Sequence, residues 1–76
     1  MKLPTASGKQ TIKALSKIGF IIISQKGSHI KLLKRINGDT IQIVIPVHGN
    51  KPLKMGLLSA VIKDAGLTNE EFAKLL

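Results

Sequence analysis

Apolar residues recur along this chain at two periods, and the change from one period to the other marks out its elements. Ile12, Leu15 and Ile18 fall three apart, as one stripe of an amphipathic helix does, while Lys9, Lys13 and Lys17 fall four apart along another. Ser7 followed by Gln10 has capping-box spacing, so a helix is predicted to begin there, and Gly19 stands where it should end. Phe20 to Lys26 is rich in isoleucine and too short for a helix between two glycines, which makes it a strand. Gly27-Ser28 then reads as a two-residue hairpin loop of the Gly-X kind, and Asn37-Gly38 as a second hairpin loop. Three strands are predicted, over 20–26, 29–36 and 39–47. After the loop Pro46-Val47-His48-Gly49-Asn50-Lys51-Pro52, the stretch Lys54 to Ala65 carries Leu57, Leu58, Val61, Ile62 and Ala65 at helical spacing and closes at Gly66. Thr68 and Glu71 form another capping box, opening a short helix through Phe72, Leu75 and Leu76.

The two turns imply a register. If Lys26 pairs with His29, Ile23 lies opposite Leu32; if Ile36 pairs with Asp39, Leu32 lies opposite Ile43 and Ile30 opposite Ile45. One face would then gather Ile21, Ile23, Ile30, Leu32, Ile41, Ile43 and Ile45 and need helices over it. The other would gather Ser24, Lys26, His29, Lys31, Arg35, Thr40 and Gln42, with Ile22, Leu33 and Val44 among them, and stay open. The predicted fold class is α+β, in the order α-β-β-β-α-α, with helices on one face of a three-stranded antiparallel sheet. That is the outline of a double-stranded-RNA-binding domain. At 76 residues a single domain over 1–76 is expected.

Composition narrows the partners. With 43% hydrophobic residues the chain should fold despite a net charge of +8. Residues 1–63 hold eleven of the twelve lysines and arginines against Asp39 alone, a charge of +10, whereas Lys74 faces Asp64, Glu70 and Glu71 in the tail, a charge of −2. A cationic body of this kind concentrates phosphate polyanions around it, so nucleic acid leads as partner, ahead of an acidic protein or an anionic membrane. The longest nearly apolar run, Ile18 to Ile23, is far short of the ~20 residues of a membrane span, and the first residues lack a charged-then-apolar leader. A soluble cytoplasmic protein without membrane partner is therefore expected. There is no cysteine, and two histidines with four acids, mostly in the tail, give no metal-ligand spacing. The glycines stand singly, without a phosphate-cradling motif. Neither metal nor small-molecule cofactor is expected.

His29 is the candidate for chemistry. A lone histidine at a strand start is as a rule a surface residue, but an imidazole titrating near ~6.5 suits proton transfer at neutral pH, and the predicted face sets Lys26 and Lys31 beside it. Those cations would hold a phosphodiester and stabilise charge building on it. His48 could be a second proton carrier; a structural role closing its loop or capping the next helix is the stronger reading. Ser28 as a nucleophile would need a base and an orienting acid, and Asp39 is the one acid outside the tail, so Ser28 is better read as a turn residue. Only Phe20 and Phe72 are aromatic, both suited to packing, which argues against base-stacking single-strand binders. Contacts to RNA would instead run through Lys26, Gly27, Ser28, Lys31 and Arg35 of the sheet, and through Lys9 and Lys13 on the basic rim of the first helix.

Across nearly its whole length the sequence also resembles a known family. Ser7-Gly8-Lys9, Leu15, Gly19-Phe20, Gln25-Lys26-Gly27-Ser28-His29, Val44-Ile45-Pro46-Val47-His48, Ala65-Gly66-Leu67 and Glu71-Phe72 together look like the HicA family of mRNA-interferase toxins. The resemblance implies a fold like the double-stranded-RNA-binding domain, metal-independent endoribonuclease activity on mRNA, and a HicB-type antitoxin that covers the site. It assigns catalysis to the histidine of Gly-Ser-His, here His29. The chain departs from the pattern at Gly56-Leu57-Leu58-Ser59, where many members carry Gly-Thr-Leu-Arg, and so lacks one candidate phosphate contact. Two rivals keep the same charge: a double-stranded-RNA-binding module without catalysis, and an interaction subunit whose cationic face docks an acidic protein.

Overall fold

Both capping boxes form and set where helices start. A computed structural model describes residues 4–76; the reading of the N-terminus as leaderless also concerns residues 1–3, which lie outside those described. Helix α1 runs Gly8–Ser16, opened by Ser7, whose hydroxyl accepts the Gln10 N–H at 3.2 Å while Gln10 Oε1 accepts the Ser7 N–H at 2.9 Å. Strands β1 (Ile21–Lys26), β2 (His29–Ile36) and β3 (Asp39–Pro46) follow, then α2 (Met55–Asp64) and α3 (Asn69–Leu75), the last opened by the Thr68–Glu71 box. The order is the predicted α-β-β-β-α-α. The three strands form one antiparallel sheet in the order β1-β2-β3, an α+β architecture like the double-stranded-RNA-binding domain.

Two tight turns set the strand pairing. Asn37 and Gly38 both have positive φ, 50° and 85°, as a type I′ turn requires, and Ile36 pairs with Asp39. The β2–β3 register follows as predicted, with Leu32 opposite Ile43 and Ile30 opposite Ile45. Leu32, Ile43 and Ile45 are buried against Leu15, Phe20, Val61 and Ala65 in a sheet–helix core. A second cluster, Ala6, Ala14, Leu58, Ile62 and Phe72, joins the helices to one another. Phe20 and Phe72 both pack inside, as expected.

The first strand corrects the predicted faces. Lys26 pairs with His29, Gln25 with Ile30 and Ser24 with Lys31, but a bulge lies between Ile22 and Ser24, so Ile22 rather than Ile23 stands opposite Leu32. One inserted residue inverts the alternation beyond it. Ile21 pairs with Leu33 and belongs to the open face; Ile23 lines one depression with Ile21, Leu33 and Arg35, and neither joins the core. Ile22, expected on the open face, takes the helix side. All six residues of β1 are exposed, because the helices pack over β3 and its neighbour and stop short of this edge.

Candidate active site

One end of the sheet gathers the hairpin, the end of β3 and the start of α1. Gly27 has φ 61° and Ser28 does not share the left-handed conformation, so the turn has glycine at the first of its two central positions, as a Gly-X loop should. Being only two residues long, it fixes His29 as the first residue of β2, opposite Lys26. On its other side His29 pairs with Pro46, and the Val47 N–H just beyond donates to the Ser28 carbonyl at 2.7 Å. The turn is thus held from both neighbouring strands.

The start of α1 presses on the same place. A Cβ on Gly8 would lie 2.5 Å from the Pro46 carbonyl oxygen and 3.0 Å from Val47 Cγ2, so the absence of a side chain lets the helix reach the end of β3. Leading into that helix, Ser7 bridges to Pro52 and Ala6 accepts the Leu53 N–H at 2.8 Å, which ties the loop after β3 to α1. His29 therefore stands on a tightly connected corner.

The open face reads in cross-strand rows. Lys26, His29 and Pro46 form the first, and Ser24, Lys31 and Val44 the next, about 7 Å along the strands. His29 and Lys26 are exposed and Lys31 is half-buried. No acid belongs to either row; Asp39 pairs with Ile36 at the far end of the sheet, and Asp64, Glu70 and Glu71 lie on α2 and α3. Two lysines thus neighbour an exposed imidazole on this face, Lys26 across the strand pair and Lys31 two residues along the same strand.

The expected contact residues divide. Lys26, Gly27, Ser28 and Lys31 surround His29, and Lys9 is exposed in the first turn of α1, next to Gly8. Arg35 is six residues along β2 from His29, about 20 Å away. Lys13 instead lines a groove between α1 and α3 with Gln10, Lys17, Leu75 and Leu76, where Lys17 Nζ donates to the Leu75 carbonyl at 2.7 Å. The structure brings neither Arg35 nor Lys13 into the corner.

His48 lies exposed in the loop after β3, and its carbonyl accepts the Lys51 N–H at 3.1 Å. That backbone bond closes the loop; its imidazole makes no cap, and α2 starts at Met55 behind Lys54 as N-cap, without a side-chain cap. The ring lines a pocket with Pro46, Lys51, Pro52, Leu53, Lys54 and Leu57. Lys51 and Lys54, which sequence reading did not single out, add two cations beside the corner. Their one signal was a position in the proline-bounded loop after His48, and it gains meaning only once Pro46 is known to pair with His29.

Among the described residues, no three histidine, aspartate or glutamate side chains gather where they could hold a metal ion, and no helix is long and apolar enough to cross a membrane. No curated protein matches the sequence. A family model described as the HicA toxin of bacterial toxin-antitoxin matches residues 8–67, from the glycine that rests on Pro46 to the residue after Gly66. With that match spanning most of the 76 residues, and with the Gly-Ser-His turn held at a cationic corner of the sheet, the chain belongs to the HicA family of bacterial toxin-antitoxin toxins.

Proposed function

We propose that this toxin is a metal-independent endoribonuclease that cleaves mRNA in the cytoplasm, works as a single domain over residues 1–76, and is neutralised by a HicB-type antitoxin. The observation that carries the reading is the exposed His29 on the open sheet face, opposite Lys26, one row from Lys31 and locked by the two-residue turn. In the proposed reaction a ribose 2′-hydroxyl attacks the adjacent phosphorus and the bond to the leaving 5′-oxygen breaks. The 2′-hydroxyl gives up its proton and the leaving oxygen gains one. The products are a 2′,3′-cyclic phosphate and a free 5′-hydroxyl.

His29 carries one of those two proton transfers, as base toward the 2′-hydroxyl or as acid toward the leaving oxygen. Lys26 and Lys31 stabilise the charge that builds on the phosphorane. The backbone of Gly27 and Ser28, with Lys9 at the start of α1, contacts phosphates on either side. Ser59, where many members have arginine, is exposed on α2; Lys51 and Lys54, which line a pocket with Pro46 and His48, contact phosphate from the loop after β3.

The test is His29→Ala. An exposed side chain contributes within about 0.5 kcal/mol to stability, so the variant should fold and bind RNA as the parent does. Cleavage should fall at least ~100-fold, the lower end of what a positioned proton carrier supplies. Undiminished cleavage would overturn the assignment. A parent protein that binds duplex RNA and never breaks it, whatever the concentration, would favour the non-catalytic binding module.

A further inference from the structure

A chain of net charge +8 exposes three consecutive isoleucines on one edge: Ile21 is 59% exposed, Ile22 57% and Ile23 43%. Apolar residues scattered singly over a surface are ordinary, but a run of β-branched side chains on an uncovered edge strand invites pairing with another chain. The bulge after Ile22 places Ile21 and Ile23 in one open depression with Gly19, Leu33, Lys34 and Arg35. Val44, 45% exposed on the same face, extends the apolar surface one row toward His29.

We propose that this depression is the anchoring site of the antitoxin, taking a segment in which an apolar side chain is flanked by aspartate or glutamate. The proposal rests on the toxin-antitoxin reading above and adds where the partner grips. The two exposed isoleucines, with Leu33, ask for an aliphatic or aromatic side chain, which nucleic acid does not offer, and there is no aromatic ring here on which a base could stack. Arg35 on the rim asks for a carboxylate, whereas the Lys34 ammonium lies over the Phe20 ring, 5.7 Å from its centroid. A second copy of this chain would bring the same guanidinium and the same net charge of +8 against it, so self-association is disfavoured.

Leu33 is four residues along β2 from His29, about 13 Å. Anchor and catalytic corner are therefore separate places on one face, and a segment gripped by Ile21 and Ile23 reaches His29 by crossing Val44 and Lys31. The grip can be weakened without touching the catalytic corner.

The experiment compares the parent with the double variant Ile21→Ser/Ile23→Ser and with Ile22→Ser, an equally exposed residue on the helix side. Each is titrated by calorimetry with the purified antitoxin of the same pair, and RNA cleavage is measured without antitoxin. The double variant should lose at least ~30-fold in affinity, as removal of a central apolar contact does, and should cleave RNA within about threefold of the parent. Ile22→Ser should keep the parent's affinity. Equal affinity of the double variant and the parent would overturn the anchor while leaving the partner reading intact; an antitoxin that fails to bind even the parent would sink both. A parent dimer in sedimentation that the double variant abolishes, with antitoxin affinity unchanged, would give the patch to self-association and overturn the proposal.

Discussion

Adding one methyl group at Gly8 should loosen the corner that holds His29. Alanine is ordinarily the better residue in a helix, and a glycine-to-alanine change at a compatible site stabilises by about 0.4–1 kcal/mol. At Gly8 the new Cβ would meet the Pro46 carbonyl oxygen at 2.5 Å, Val47 Cγ2 at 3.0 Å and Val47 Cα at 3.2 Å. Two of these three neighbours are backbone atoms, fixed by the pairing of Pro46 with His29 and by the Val47 N–H bond to Ser28. They cannot turn aside as a flexible side chain would. Overpacking of this kind costs about 1–3 kcal/mol, so the net change is a loss of about 1–2 kcal/mol.

In a domain of this size that loss corresponds to a fall in Tm of roughly 5–15 °C, measured by circular dichroism on heating. Gly56 in α2 is the matched control, because a Cβ there meets nothing within 4 Å. Gly56→Ala should be neutral or raise stability by up to about 1 kcal/mol. The two substitutions are chemically identical, yet Gly8→Ala should lower Tm and Gly56→Ala should leave it unchanged or raise it. Gly8→Ala also pushes Pro46 against its pairing with His29, so cleavage should fall by more than the unfolded fraction accounts for. A Gly8→Ala protein as stable as its parent would refute the close approach of α1 to β3.

Gly27→Ala places a side chain where φ is 61° with nothing within 4 Å, so its cost is backbone strain alone, about 1–2 kcal/mol, read from urea unfolding. Leu32→Ala empties a fully buried site between sheet and helices and should cost about 2–5 kcal/mol, whereas Ile22→Ala, directly across the strand pair and exposed, should cost less than about 1 kcal/mol in the same assay. Lys31→Ala should slow RNA cleavage by roughly 10-fold or more, while Arg35→Ala, about 20 Å from His29, should leave the catalytic rate within about threefold.

Most of the fold was legible because its signals were local. Ser7 with Gln10 and Thr68 with Glu71 name helix starts within four residues, and Asn37-Gly38 dictates a turn whose dihedrals almost no other pair adopts as readily. From such a turn the β2–β3 register follows by counting. The first strand was different. Counting back from Lys26 and His29 gives the right partners as far as Ser24 and then fails, since Ile21, Ile22 and Ile23 are chemically alike and nothing in their order says which one is inserted. The composition of an edge strand that no helix covers imposes no inward face, so the residue pattern there cannot reveal a bulge.

The same locality decides which parts of the candidate site could be foreseen. His29, Lys26 and the turn between them are bound by two residues of chain, so their proximity was secure before any tertiary contact was considered. Lys31 follows by strand alternation. Arg35 obeys that alternation as well, yet period-two reasoning fixes only which face a residue takes and leaves its distance along the strand to be multiplied out. Lys13 stands apart from the corner for the corresponding reason on a helix: the lysine stripe of α1 is a direction, and what lies along it depends on where α3 docks, which no spacing in α1 encodes. Lys51 and Lys54 reach the corner through Pro52 and Leu53, tied to Ser7 and Ala6 more than forty positions earlier in the chain. A candidate site built around a short hairpin can thus be read from sequence at its middle and progressively less toward its rim, where long-range packing chooses the neighbours. Where that packing stops short, as beside β1, the surface left over is free to serve a second chain.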